Sequence, residues 1–249
     1  MTPPLAPAAG APAGLRAAVR STVRELGAAT ALLYAVDRAL DRASRGRVRL
    51  FVYDLVAQPV PAAGMGAGLR AGGATAIHGV AAGDPLTAAF PRPPEVIAAR
   101  YRAGARCLAA TVRGTFAGFL WWARGDYEED EVRATFVLAD ATRCAWDYDV
   151  YVAPEFRLGR TLARLWQAAH ERLAADGVAW TLSRISAFNA ASHAAHARLG
   201  LRRVGRAAFL RAGPVQLGLW TGPPFVHLSC SARSRPRIVL RAPAEAATD

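Results

Sequence analysis

Lysine is absent from this chain of 249 residues, cysteine occurs three times and methionine twice. Its 31 basic residues other than histidine are therefore all arginine, set against 19 Asp plus Glu, and 57 alanines supply much of the 53% apolar content. Arginine without lysine, beside so much alanine, is what a GC-rich coding bias produces. The arginines are also dispersed, with no block of five or six. The formal charge of +12 thus speaks of solubility and acidic partners rather than of fold, and it does not argue first for nucleic acid. Cys107, Cys144 and Cys230 form no CxxC pair and leave an odd thiol. That excludes a disulfide framework and fits a reducing, cytoplasmic compartment. No window reaches the ~18 apolar residues of a membrane helix, and Met1 to Gly14 lacks the apolar segment of a secretory signal. Serine hydrolysis is unsupported without a GxSxG elbow. NTP hydrolysis lacks its Walker sequence, and the glycines at 64, 66, 68, 72 and 73 do not form GxGxxG.

Length suggests one to two domains, and four segments can be told apart. Residues 1–14, rich in proline and small residues, are expected to be disordered. Residues 15–46 read as a basic amphipathic helix, with Leu26, Ala29, Leu33, Val36 and Leu40 on one stripe and Arg16, Arg20, Arg24, Arg38 and Arg42 around it. Such a helix either packs on its domain or lies on an anionic membrane surface. Residues 47–222 alternate strand and helix patterns. Strands are expected over 48–60, 107–113, 115–123, 132–138, 145–152, 179–186, 202–211 and 215–220. Helices are expected over 95–103, 159–175 and 190–199, with Pro94 at a tolerated first-turn position. This is a mixed α/β sheet with a terminal hairpin. Residues 223–249 trend toward an irregular tail.

Chemistry concentrates in two stretches. In YVAPEFRLGRTLARL (Tyr151 to Leu165) a strand stops at a proline, a basic turn follows and a helix begins. Unpaired backbone N–H groups and the positive end of the helix dipole then converge where a phosphate would bind, with Arg157 and Arg160 to reinforce it. A plain connection with solvated arginines has the same sequence. Downstream, SAFNAASHAAHARLG (Ser186 to Gly200) places Asn189 at a strand end with a helix after it.

The order of these two stretches resembles the GNAT superfamily of acyl-CoA-dependent N-acyltransferases. Val152, Pro154 and Arg157 match its V-x-P-x-x-R-G-x-G-x-G cofactor turn, and Asn189, Ser192 and Gly200 match its N-x-x-(A/S)-x-x-x-Y-x-x-x-G-F segment. The resemblance covers about two-thirds of the chain. It implies a mixed, splayed β-sheet flanked by helices, here with an added N-terminal helix, and CoA held in the split. Tyr151, Val152, Arg157, Leu158, Gly159, Arg160, Thr161, Asn189 and Ser192 would bind the cofactor, with Arg157, Gly159, Arg160 and Thr161 cradling the pyrophosphate and Asn189 near the pantetheine. The turn reads RLGRTLA, so Leu158, Arg160 and Leu162 occupy the glycine places and Gly159 lies one residue out of register. His196 stands where the family has the tyrosine that protonates the departing thiolate, a role an imidazolium can fill.

An amine nucleophile must lose a proton. Asp147 and Asp149, on the strand entering the cofactor turn, are candidate bases, and their spacing predicts one common face. Alternating acids equally suit a half-solvated strand. Backbone N–H groups near Tyr151 to Ala153 could polarise the thioester oxygen. Trp121, Trp122, Phe119 and Trp166 could line a chamber for a long acyl chain. His193 and His196 share a helix face, but no third ligand falls at a matching spacing, so no metal is expected.

The expected activity is transfer of an acyl group from acetyl-CoA, or a longer acyl-CoA, to a primary amine, with His196 as acid and Asp147 or Asp149 as base. The acceptor would be a small molecule or a lipid amine. Long-chain N-acylation of a membrane lipid, as in a bacterial ceramide synthase, would place the chain peripherally at the inner membrane face. A non-catalytic GNAT-like module binding nucleic acid or membrane is the remaining alternative.

Overall fold

The computed structural model describes residues 15–62 and 74–244. The segment 1–14, most of the glycine-rich stretch at 63–73 and the last five residues lie outside the described residues, as do the side chains of Arg16 and Arg20. In chain order the helices are α1 (Leu15–Leu26), α2 (Ala28–Ser44), α3 (Pro94–Arg102), α4 (Thr161–Ala175) and α5 (Ala190–Ala197). The first strands are β1 (Val48–Pro59), β2 (Thr75–Val80), β3 (Arg106–Val112), β4 (Thr115–Ala123), β5 (Tyr127–Glu128) and β6 (Thr135–Leu138). There follow β7 (Cys144–Val152), β8 (Trp180–Ser186), β9 (Arg202–Ala212), β10 (Val215–Trp220), β11 (Val226–Ser229) and β12 (Arg237–Leu240). The architecture is mixed α/β, with mixed sheet flanked by helices.

The described residues divide into two compact units, one lying within Met1–Gln58, Glu128–Val137 and Arg184–Asp249, the other within Pro59–Tyr127 and Leu138–Ser183. In the second unit the strands run β8-β7-β4-β3-β2. Only β7 and β8 are parallel; the other neighbours are antiparallel. The tight turn Arg113-Gly114, both at positive φ, closes the β3–β4 hairpin where the sequence reading put it. Helix α4 packs along β2, β3, β4 and β7. Its buried Leu165, Trp166, Ala169 and Leu173 form one stripe at helical spacing, and Gly177, at φ 76, lets the chain leave in the left-handed conformation. Phe119, Trp121 and Cys107 pack with Val80, Phe90 and Ile97.

In the first unit the order is β11-β10-β9-β1, all antiparallel. The hairpin β9–β10 forms, and β1 lies on its other side with Val48 opposite Ala212. Asp37 of α2 accepts the Leu50 N–H at 2.9 Å and so ties the helix to β1. The helical stretch expected as one piece over 15–46 is two helices, broken at Gly27 with φ 76. Glycine adopts that backbone without strain, and the chain turns there. The tail expected to be irregular from 223 contributes β11 and β12, the latter joining β6 and β5 in a small sheet. No helix among the described residues is long and apolar enough to cross a membrane.

Candidate functional site

Strand β7 carries most of the candidate chemistry. Its pairing with β8 spans Cys144↔Trp180 to Trp146↔Leu182, while its pairing with β4 continues to Val152. Opposite β4 the register shifts: Tyr148 faces Trp121, and Tyr151 faces Phe119, so two residues of β7 bulge out against one of β4. Asp149 sits in that bulge at φ 49.

The bulge overturns the expectation that Asp147 and Asp149 share a face. Cross-strand partners point the same way, so Asp147 goes with Trp122, and Tyr148 with Trp121. Without the extra residue, alternation would return Asp149 to the Asp147 side. Instead its carboxylate meets Arg92 and Arg100, whose guanidinium groups lie over Phe119 and Tyr151, and over Trp121 and Tyr148, respectively. The second Arg92 bond, Nε to Oδ2, is 2.8 Å. Burial would raise the Asp149 pKa, but hydrogen bonding from Arg92 and the charges of Arg100 and Arg92 outweigh it and hold the carboxyl below its usual value. Nothing in the sequence around Pro91-Arg92-Pro93 signalled this partnership.

Asp147 is 2% exposed. Burial raises its pKa from 3.8 to about 7, and polar contact with the hydroxyl groups of Thr181 and Ser183 opposes part of the rise. Neither Asp147 Oδ1 nor Ser183 Oγ completes a hydrogen bond of ordinary geometry among the described residues. The same spacing that suggested a pair of bases thus yields one ionised ion-pair member and one carboxyl poised near neutrality.

Beyond β7, Pro154–Phe156 makes a 3-10 turn, and α4 starts after Arg160. Arg157, Leu158, Gly159 and Arg160 are all exposed, whereas Thr161 is buried. Arg157 folds back so that its Nε donates to the Val152 carbonyl at 3.1 Å. Among the N–H groups of this turn, that of Gly159 donates to the Phe156 carbonyl, and regular helical bonding resumes at Arg164, whose N–H donates to the Arg160 carbonyl. Among the described residues the first N–H groups of α4 therefore have no backbone partner, and they lie beside the exposed Arg157 and Arg160, an arrangement fitted to a phosphate. Upstream, β4 and β7 approach so closely that a Cβ on Gly118 would collide with the Tyr151 carbonyl oxygen and lie 3.2 Å from Val152 Cα.

The downstream residues belong to the other unit. Asn189 is the N-cap of α5, its Oδ1 accepting the Ser192 N–H at 3.0 Å; this N-x-x-S pattern is a capping signature. His196, expected from the sequence to act as an imidazolium acid, lies on α5. It is buried, and desolvation, with the neighbouring His193 charge, lowers its pKa from 6.5 to about 4. Its Nδ1 lies 2.6 Å from the Gln58 Oε1. A carboxamide oxygen only accepts, so Nδ1 carries the proton of a neutral ring. Gln58, near the end of β1, escaped sequence reading because nothing local marks a partner so distant in sequence. The four aromatics expected to line an acyl chamber are core: Phe119, Trp121, Trp122 and Trp166 are at most 2% exposed.

No family profile matches this chain, and no curated protein matches it. Among solved structures it is similar to a Drosophila protein at 15% identity, over 69% of this chain and 55% of that one, with a TM-score of 0.48. The chain thus spans little more than half the length of that protein. It is similar at 16% identity to a functionally unknown conserved protein from Staphylococcus epidermidis, over 71% of this chain and 68% of the other, with a TM-score of 0.47. It is also similar to a GNAT-family protein from Novosphingobium aromaticivorans, at 17% identity over 65% of this chain and 64% of the other, with a TM-score of 0.42.

Proposed function

We propose that this chain is a GNAT-like N-acyltransferase that moves an acyl group from acyl-CoA to a primary amine by direct attack. The observation that carries the reading is the course of β7: paired on both sides at its start, bulged beside β4, then ending at an exposed basic turn before α4. A strand that loses one neighbour leaves backbone groups unpaired by sheet, and these suit a ligand that itself offers amide groups. The first N–H groups of α4, which have no backbone partner among the described residues, suit a pyrophosphate together with Arg157 and Arg160.

In this mechanism the neutral amine attacks the thioester carbonyl carbon, the C–S bond breaks, and CoA leaves as its thiolate. Asp147 accepts the proton released by the amine, directly or through a water. A base with a pKa near the working pH is well matched to that task. The thiolate is reprotonated from the same carboxyl or from solvent, because His196 is neutral and its N–H is committed to Gln58. Asp149 serves as the counter-charge of Arg92 and Arg100. With the large aromatics packed away, nothing favours a long acyl chain over acetyl, nor a lipid over a small amine.

Calorimetric titration with acetyl-CoA tests the reading. The native chain should bind, and the Arg157→Ala/Arg160→Ala variant should bind at least about tenfold more weakly, as expected for loss of two charge-assisted contacts. Failure of the native chain to bind acetyl-CoA, long-chain acyl-CoA and an acyl-carrier thioester alike would overturn it.

A further inference from the structure

The sheet β9–β10–β11 has apolar side chains on both faces. On one face Gln216, Gly218, Trp220 and Ser229 are buried, and Gln216 exchanges hydrogen bonds with the backbone of Arg133 at 2.8 Å each. The opposite face, where an antiparallel sheet open to water ordinarily shows polar residues, shows them only past Ala208 and Leu219, at Arg206 and Thr221. Leu210, Leu217 and Leu228 stand side by side across the three strands, with Leu219 beside Val226 in the next row. Val215 and Phe225 extend the patch.

These seven side chains are 36–60% exposed. Together they present an apolar area on the order of 600 Å², the upper end of the range for the largest patch on a monomeric protein. That is most of the roughly 800 Å² that each partner contributes to a stable interface. Burying it would offset the cost of association through the hydrophobic effect.

We propose that this face is the interface between two copies of this chain, packed sheet against sheet about a twofold axis. The occupant follows from the charge pattern. The chain carries +12, so two copies repel on average, yet the outward positions Ala208, Leu210, Ala212, Val215, Leu217, Leu219, Val226 and Leu228 carry no charge, and Arg206, at the margin of the patch, is paired with Asp54. An isologous contact places this patch against itself, without like charges in its centre. The row of three leucines and the Leu219–Val226 row beside it can interdigitate with their twofold copies, as inner faces of stacked sheets do. The inference does not depend on the proposed activity.

Sedimentation velocity on the full chain, from low micromolar concentrations upward, tests it. The native chain should sediment as a dimer. The Leu217→Glu/Leu228→Glu variant should sediment as a monomer, its dissociation constant raised by about a hundredfold or more, since each buried carboxylate lacks a counter-charge. Val239→Glu, on the exposed side of β12, should remain dimeric. Should the double variant fail to fold, hydrogen exchange on the native chain provides the second readout: β10 and β11 amides should gain protection as concentration rises. A native chain that stays monomeric overturns the proposal, as does concentration-independent exchange. A monomer that floats with anionic phospholipid vesicles overturns it in favour of a lipid surface.

Discussion

Replacing Asp147 by asparagine isolates the carboxyl that the proposed chemistry depends on, and its first consequence needs no substrate. Burial raises the Asp147 pKa from 3.8 to about 7. At about 1.4 kcal/mol per pH unit, the difference corresponds to roughly 4 kcal/mol against the ionised form in the folded chain. Between pH 4 and 7 the folded chain keeps the proton that the unfolded chain releases. Stability from this group is therefore fully present below about pH 4 and is lost as pH rises through 7. Asparagine has nearly the same shape and no charge to desolvate, so its contribution is flat. The native chain minus Asp147→Asn difference in unfolding free energy should fall by several kcal/mol from pH 4.5 to pH 8, the variant being the more stable at the alkaline end. Urea unfolding at a series of pH values measures it. Taking the difference removes His170 and His196, whose lowered pKa values act the other way in both proteins. A difference that stays level, or rises with pH, would refute the assignment of a desolvated carboxyl. The same variant has a catalytic signature: free-thiol release should rise through a midpoint near pH 7 in the native chain, and asparagine should lower kcat by roughly 10²–10⁴.

Two other substitutions separate stabilising from catalytic roles. Asp149→Asn leaves two buried guanidinium groups without their carboxylate and should destabilise the fold by about 3–5 kcal/mol, read as a lower urea midpoint; removing Arg100 as well, as Asp149→Asn/Arg100→Met, should recover part of the loss. His196→Ala removes the 2.6 Å bond to Gln58 and should cost about 1–3 kcal/mol at pH 7. The stability that the neutral ring gives the native chain is lost as pH falls from 6.5 toward 4, a slope the variant should lack. Its transfer rate should keep the native pH midpoint; a midpoint that moved would restore His196 as an acid.

Local signals were enough for the strand–helix alternation. The Arg113-Gly114 turn, the α4 stripe ending at Gly177 and the Asn189 cap are each written within a few residues, so each could be read. Strand β2 could not. Thr75 to Val80 (TAIHGV) buries only Val80 and is interrupted by a histidine and a glycine, which hides its period. Strands β11 and β12, four residues each, are too short to set a pattern of their own. The site suffered a different failure. The rule that residues two apart share a face holds only for a regular ladder, and the bulge at Asp149 exists only in the register between β7 and β4. Likewise, His196 reads as a surface acid in its own helix, and only burial beside Gln58 removes its charge.

Environment, not residue type, divides the labour between the two aspartates. They lie two residues apart in a strand whose bulge sends them to opposite faces. On one face the carboxylate meets two guanidinium groups braced by aromatic rings, which fixes it as an anion. On the other face two hydroxyl groups are its polar neighbours, too little to offset burial, and the proton is held to about pH 7. Neighbouring titratable groups whose surroundings drive their pKa values apart commonly mark the ionised and the proton-carrying members of a site. By that logic the bulge separates the two roles, since Asp149, at its shifted register, pairs with Arg92 and Arg100. Asp147 stays buried with no ion-pair partner among the described residues, and burial holds its proton to about pH 7.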